Sequence, residues 1–149
     1  MKTKHEGKQR SVSVAQDPKL LRRLLRAKDR MDAASHEAWP VKRLAQVSGV
    51  SQAHFARSFK SAFGVPPHRY LLTRRLERAA ALLRNTDRSV ADICFSVGLQ
   101  SVGSFTTSFT RTYGKSPTVY RAEFPPASHL ARVPACVLRV YGRPQRQHV

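Results

Sequence analysis

Side chains that can contact the bases or phosphates of a nucleic acid recur along residues 51–61 with the spacing of an α-helix. On a helical wheel at about 100° per residue, Phe55, Phe59 and Phe63 form one apolar stripe that must pack inward. The opposite side carries small, polar or basic residues: Ala53, His54, Arg57 and Ser61, with Gln52 near the first turn and Lys60 on the flank. The major groove of double-stranded DNA admits a helix of this kind. The pattern therefore predicts a recognition helix.

The side chains of this helix are predicted to have different roles. Arg57 is the strongest candidate reader, because a guanidinium pairs bidentately with O6 and N7 of guanine and discriminates between bases by ~1–3 kcal/mol. Ala53 would let the helix lie deep in the groove and contact thymine methyl groups. For His54, a phosphate contact, a base contact and simple exposure all stay open. The predicted base contacts are Gln52, Ala53, Ala56 and Arg57, and the predicted backbone contacts are Ser51, His54 and Lys60.

The same pattern occurs twice in the chain. Seven positions recur at a constant offset of 50, and six of them are identical: Phe55, Ser58, Phe59, Phe63, Gly64, Pro67 and Tyr70 correspond to Phe105, Ser108, Phe109, Tyr113, Gly114, Pro117 and Tyr120. Upstream the offset is 49: Val41, Leu44, Gly49 and Val50 correspond to Val90, Ile93, Gly98 and Leu99. The change of offset predicts one extra residue in the second copy, between Leu99 and Ser104. The repeat indicates one supersecondary element used twice.

The second copy is poorer in charge than the first. Its inward stripe is Phe105, Phe109 and Tyr113. Serine and threonine hydroxyls bind phosphates or bases with little preference, and Gly103 offers no side chain at all. We therefore expect the first copy to supply most of the direct readout and the second to position the protein on the backbone. The predicted base contacts of the second copy are Ser104 and Thr107, and the predicted backbone contacts are Ser101, Thr106 and Arg111.

Capping and turn signals predict an all-α fold with two helix-turn-helix subdomains joined by a long linker helix. Asp17 and Pro18 begin a first helix that should reach about Ala34. Within each copy a short helix ends at a glycine, and a serine then caps the next helix. The linker, residues 67–85, is 19 residues or ~28 Å long, against ~34 Å between successive major grooves on one face of DNA. We expect one monomer to span both grooves, with DNA bending that costs roughly 1–6 kcal/mol closing any shortfall.

This organisation divides the chain into five predicted segments: a disordered basic arm 1–16, a first helix-turn-helix subdomain 17–66, the linker helix 67–85, a second subdomain 86–121 and a Pro-containing tail 122–149. The arm is expected to be solvated, with phosphate contact as the alternative. The one mostly apolar run of the tail, residues 135–141, is compatible with a short strand or with an extended segment packed on the domain.

The charge balance predicts a polyanionic partner. Lys and Arg total 27 against 9 Asp and Glu, a net charge of +18, which favours nucleic acid ahead of an anionic membrane. Residues 19–84 carry 15 basic and 4 acidic side chains, whereas residues 85–121 carry 4 and 2. The attraction to phosphate therefore comes mostly from the first copy and the linker.

Other functional classes are disfavoured. Cys94 and Cys136 lie 42 residues apart without a CxxC or Cys/His spacing, so we expect no metal, no cofactor and no disulfide scaffold. A Ser/His/Asp set and a phosphate loop are both missing, which argues against an enzyme. No apolar run approaches 18 residues and the N-terminus has no apolar signal segment, so we expect a soluble cytoplasmic protein with no membrane partner.

These motifs resemble the DNA-binding domain of the AraC/XylS family of bacterial transcription regulators over about residues 18–121. The first motif reads VKRLAQVSGVSQAHFARSFKSAFGVPPHRYL, the linker RRLERAAALL and the second motif VADICFSVGLQSVGSFTTSFTRTYGKSPTVYR. The resemblance implies seven helices, two helix-turn-helix units and binding to promoter DNA, usually as an activator that contacts RNA polymerase. It also implies base contacts from Ala53, Ala56 and Arg57 in the first motif and from Val102, Gly103, Ser104, Thr106 and Thr107 in the second.

The chain departs from the family pattern in two respects. The family commonly carries Arg or Gln where this chain has Gly103 and Thr107. Many members also carry an effector-binding or dimerisation domain, so this chain is expected to be a stand-alone regulator or to lack a partner domain.

We therefore predict a sequence-specific, double-stranded DNA-binding transcription regulator that acts as an activator and binds promoter DNA as a monomer. The first alternative is a nonspecific or architectural DNA-binding protein that is held by charge. An RNA-binding protein is a further alternative, disfavoured because the sequence shows no platform of exposed aromatics on a sheet.

Overall fold

The computed structural model describes residues 17–126, which form seven α-helices and no β-strand. The helices are α1 (Pro18–Ala33), α2 (Val41–Ser48), α3 (Gln52–Phe63), α4 (Pro67–Asn85), α5 (Val90–Ser96), α6 (Val102–Tyr113) and α7 (Pro117–Ala122). This confirms the predicted all-α class with two helix-turn-helix units and a long helix between them. The predicted arm, and the tail beyond residue 126 with its apolar run, lie outside the described residues.

The described chain divides into two compact units. The first comprises residues 17–29 and Trp39–Pro67, and the second comprises Arg30–Ala38 and residues 68–126. The predicted segments differ from these units, because they placed residues 30–38 in the first subdomain and kept the long helix separate. In the structure the end of α1, the connector that follows it and nearly all of α4 belong to the second unit.

In the first unit, aromatic residues hold α3 in place. Phe55 and Phe59 are fully buried, with ring centroids 5.6 Å apart, as the predicted inward stripe requires. Trp39 is also buried, and the guanidinium of Arg43 lies 3.7 Å from its ring centroid. The Ser48 hydroxyl donates to the Arg23 carbonyl oxygen at 3.3 Å, which ties α2 to α1.

The second unit has a continuous core that includes α6. The ring of Phe109 lies 5.6 Å from Phe105, 4.5 Å from Tyr113 and 5.2 Å from Tyr120. Cys94 is buried as a free thiol, and burial raises its pKa. The buried members of this core are Leu76, Ala79, Ala80, Leu83, Ile93, Cys94, Val97, Phe105 and Phe109.

The turn between the two helices of the second helix-turn-helix unit contains the predicted extra residue. The Val50 N–H donates to the carbonyl oxygen of Ala45 at 3.2 Å, and the equivalent Leu99 N–H donates to that of Cys94 at 3.1 Å. In the first copy, Ser51 follows Val50 directly and caps α3. In the second copy, one residue separates Leu99 from Ser101, which caps α6. The extra residue of the second copy is therefore Gln100, inside the predicted interval.

Removing a helix cap should have a moderate effect on stability. Ser89 caps α5 by accepting the Asp92 N–H at 3.1 Å. We expect Ser89→Ala to lower the free energy of unfolding by about 1 kcal/mol, because a free amide of the first turn loses its partner. Urea denaturation measures the change. Ser89→Asp keeps a capping oxygen and should stay close to wild type; equal losses for both variants would show that the cap is not responsible.

Candidate nucleic-acid interface

Helix α3 presents an exposed polar and basic side opposite its buried aromatic side. Arg57 lies one turn after Ala53 on that side. Ala56 differs from the other predicted base contacts of α3 because it is half-buried. The exposed members of the predicted set are Ser51, Gln52, Ala53, His54, Arg57 and Lys60.

The first turn of α3 is fixed by its cap. The Ser51 hydroxyl oxygen accepts the His54 N–H at 3.2 Å. At the other end, Gly64 adopts a left-handed conformation with φ 79°, and its N–H donates to the Lys60 carbonyl oxygen. Both ends of α3 are thus fixed by local hydrogen bonds, and the exposed side chains project from the helix between them.

Helix α6 presents mostly hydroxyl groups. Gly103, Ser104, Thr107 and Arg111 are exposed, whereas Thr106 is half-buried. A Cβ at position 103 would meet only the Ser101 hydroxyl, at 3.8 Å, so packing within the protein does not require glycine there.

The threonine hydroxyls of α6 donate to carbonyl oxygens of their own helix. Thr106 donates to Val102 at 2.8 Å, and Thr107 donates to Gly103 at 3.1 Å. In this arrangement the oxygen atoms remain as acceptors, which suit the amino groups of adenine or cytosine. Phosphate oxygens need a donor, so the predicted backbone contact of Thr106 would require its hydroxyl to leave Val102.

The positive charge of both recognition helices is not balanced locally. The sequence has no Asp or Glu between Ala38 and Leu76, or between Ile93 and Ala122. Among residues 17–126, ion pairs join Arg74 to Asp32 and Glu77, and Lys115 to Glu123. Arg57, Lys60 and Arg111 belong to none of these, so their charges face outward uncompensated.

The arginines of α4 contrast with those of the recognition helices. Arg75 donates to the carbonyl oxygens of Ser35 and Glu37, both at 2.7 Å, and its burial lowers its pKa. For Arg74, burial acts to lower the pKa, but the neighbouring Asp32, Tyr70 and Glu77 outweigh it and the net shift is upward. These two guanidinium groups are engaged in contacts within the second unit.

A groove between α4 and α6 is lined by an arginine, Arg69, that was not predicted to be part of the site. It has a volume of about 260 Å³ and is lined by Arg69, Leu72, Thr73, Leu76, Ser108, Arg111 and Thr112. Arg111 is one of the predicted contacts to the DNA backbone, whereas Arg69 is not among the predicted site residues. The signal was present, since Arg69 and Thr73 lie one turn apart on the exposed side of α4.

Metal-binding clusters and membrane-spanning helices are both absent from the described part of the chain. Residues 17–126 contain no group of three or more His, Cys, Asp or Glu side chains that could hold a metal ion. None of the seven helices combines the length and apolar character needed to cross a membrane.

The fold and the exposed recognition helices define a double helix-turn-helix domain. A family model described as a helix-turn-helix domain matches residues 44–123, from the middle of α2 to the end of α7. Solved AraC-type DNA-binding domains share the fold. The chain therefore belongs to the AraC/XylS family.

The curated relatives are named as transcriptional regulators. The HTH-type transcriptional regulator MtrA of Neisseria gonorrhoeae is 37% identical over 87 residues, which cover 58% of this chain and 29% of MtrA. The putative HTH-type transcriptional regulator YkgA of Escherichia coli is 40% identical over 78 residues, or 52% of this chain and 33% of YkgA. The chain thus spans about a third or less of the length of these relatives.

Two solved structures extend the comparison. The DNA-binding domain of AdpA, a global transcriptional factor solved in complex with a target DNA, has a TM-score of 0.64 and 31% identity, covering 75% of this chain and 96% of that domain. A regulator with an AraC-type DNA-binding domain from Chromobacterium violaceum has a TM-score of 0.65 and 30% identity, covering 69% of this chain and 92% of that one.

Proposed function

We propose that this chain is a sequence-specific, double-stranded DNA-binding transcription regulator that inserts α3 and α6 into successive major grooves. One observation carries the proposal: each copy of the repeat presents a serine-capped helix whose aromatic side is buried and whose other side is exposed and free of carboxylates. The AdpA domain, a structural relative at 31% identity, was solved with a target DNA.

Helices α3 and α6 make different contacts with the DNA. Arg57 reads a guanine from α3, where Gln52, Ala53 and Ala56 complete the base contacts and Ser51, His54 and Lys60 contact phosphates. Helix α6 contributes base contacts through Ser104 and Thr107 and backbone contacts through Ser101, Thr106 and Arg111. The charge difference between the copies supports this division, because α3 carries two exposed cations and α6 carries one.

The family resemblance supplies the cellular setting of this proposal. The chain binds promoter DNA in the cytoplasm, acts as an activator and contacts RNA polymerase. Transcription from a matched promoter in a purified system, with and without the chain, tests that role. A drop in transcript on addition of the chain would make it a repressor.

Competition between a selected site and random DNA tests sequence specificity. A specific regulator should prefer its site by ~10³-fold or more at physiological salt, because base contacts add to the charge-driven affinity that all sequences share. Displacement of the bound site by an equal concentration of random DNA would favour the architectural alternative. The net charge of +18 makes that alternative a serious competitor.

The number of chains per site tests the monomeric binding mode. Native mass spectrometry of the complex with one site should give one chain per duplex. Circular-permutation gel shifts should show bending, and straight DNA would remove the bending part of the proposal. Two chains on one site would instead place α3 and α6 of different molecules on the duplex.

A further inference from the structure

The groove between α4 and the second half of α6 has the composition of an anion site. It lies within the second unit, and its charged lining consists of two guanidinium groups, Arg69 and Arg111, with no carboxylate. Both arginines are exposed, and neither takes part in an ion pair among residues 17–126. A guanidinium has five N–H donors in a planar arrangement that matches phosphate.

In a second groove on α4, carboxylates neutralise the positive charge of the arginines. It is lined by Asp32, Ser35, Arg74, Glu77 and Arg78. There Arg74 already holds Asp32 at 2.9 Å and Glu77 at 2.7 Å. The Arg69 groove contains no such internal partner, so its positive charge is available to an external anion.

The size and donors of the Arg69 groove favour a small anion. Its volume of about 260 Å³ is below the ~300–1,000 Å³ of pockets that enclose organic ligands. The hydroxyls of Thr73 and Thr112 donate to the carbonyl oxygens of Arg69 and Ser108, each at 3.0 Å. The donors left for a ligand are therefore the two guanidiniums and the half-buried Ser108 hydroxyl.

The equivalent surface of the first copy lacks these cations. The buried residues Leu24, Ala27 and Met31 of α1 match Leu76, Ala79 and Leu83 of α4 at an offset of 52. At that offset, Arg69 corresponds to Asp17, whose carboxylate caps α1 by accepting the Lys19 N–H at 3.0 Å. Arg111 corresponds to Ser61 at the offset of 50. The anion groove is thus confined to the copy whose recognition helix carries less charge.

We propose that the Arg69–Arg111 groove binds one phosphate group. The phosphate comes from the DNA backbone, in which case the inference rests on the proposed function, or from a free phosphate in solution. If the phosphate belongs to DNA, the groove adds a backbone contact beside α6 and compensates for the small number of cations on that helix.

The salt dependence of DNA binding tests the DNA source in the full chain. Each phosphate contact contributes about 0.9 to the slope of log K against log salt. We expect Arg69→Gln and Arg111→Gln each to lower the slope by up to about 0.9. The double variant should lower the slope by no more than about 0.9 in total, because both arginines hold the same phosphate. Arg78→Gln, an exposed arginine of the same helix, is the control and should leave the slope unchanged.

Titration of the DNA-free chain with inorganic phosphate tests the other source. Free phosphate binding should shift the amide signals of Thr73 and Ser108 saturably, with loss of the shifts in Arg69→Gln and none with sodium chloride at equal ionic strength. Either a slope change shared by the two arginines or a saturable phosphate shift supports the site. If neither occurs, or if Arg78→Gln lowers the slope as much as Arg69→Gln, the proposal is wrong.

The slope can also be read on random DNA. If the wild-type chain shows no preference for a selected site, the proposed sequence-specific function fails, while the slopes of the three variants still decide whether the groove holds a phosphate.

Discussion

Replacing Arg57 with alanine is expected to relax the base preference of the chain about 5- to 150-fold at the base pair that Arg57 contacts. This corresponds to the ~1–3 kcal/mol by which a bidentate guanidinium discriminates between bases. Arg57 is exposed on α3 and belongs to no ion pair of the described residues, so its donors are available. Binding measured on DNA sites that differ at single base pairs gives the change directly.

Lys60→Ala is the matched control for Arg57→Ala. Lys60 is also exposed on α3, but it is proposed to contact a phosphate. Its loss should weaken binding on all sequences alike and lower the salt slope by ~1, because one counterion-releasing contact is removed. If Arg57→Ala leaves the preferred sequence unchanged, α3 does not read DNA in the way proposed.

Gly98→Ala is expected to destabilise the second unit by roughly 2–5 kcal/mol. Gly98 has φ 94°, and a left-handed conformation costs other residues about 1–2 kcal/mol. A Cβ at this position would also lie 2.4 Å from the carbonyl oxygen of His36, and such overpacking typically costs about 1–3 kcal/mol more. Urea denaturation followed by circular dichroism measures the loss.

Gly114→Ala separates the two contributions. Gly114 lies in the same unit with φ 77°, but a Cβ there would have no neighbour within 4 Å. We expect this variant to lose only about 1–2 kcal/mol, the cost of the backbone conformation alone. Equal losses for the two variants would show that the connector at His36 moves aside without a penalty.

The helices were largely predictable because their ends carry local signals. The structure gives α4 the predicted bounds, 67–85, since proline suits the first turn of a helix. The predicted first helix reached Ala34, and α1 ends one residue earlier. Helix α2 begins at Val41, because Pro40 has an extended backbone with ψ 152° and precedes the helix as its N-cap.

The side-chain contacts of the second unit were not predictable, because they join residues far apart in sequence. Arg75 bonds Ser35 across 40 residues, and Tyr70 donates to Asp32 at 2.5 Å across 38. Leu25 is one of several apolar residues that recur at helical spacing in α1, yet it is 38% exposed. The spacing of apolar residues along a helix does not specify which of them the rest of the chain covers.

The candidate site was predictable to a similar degree. The exposed side of α3 followed from the spacing of its phenylalanines. The groove at Arg69 did not, because it depends on the packing of α4 beside α6. With that groove included, the weaker charge of the second copy is partly offset by cations beside its recognition helix.

Selection of bound sequences from a random pool of double-stranded DNA, performed with this chain, tests the central claim most directly. The account predicts one site with two conserved segments about one helical turn apart, a strong one that contains a guanine read by Arg57 and a weaker one opposite α6. Repetition of the selection with Arg57→Ala should remove the preference for that guanine from the strong segment and leave the weaker segment unchanged. Recovery of no enriched sequence, or of a strong segment that keeps its guanine in Arg57→Ala, would contradict it.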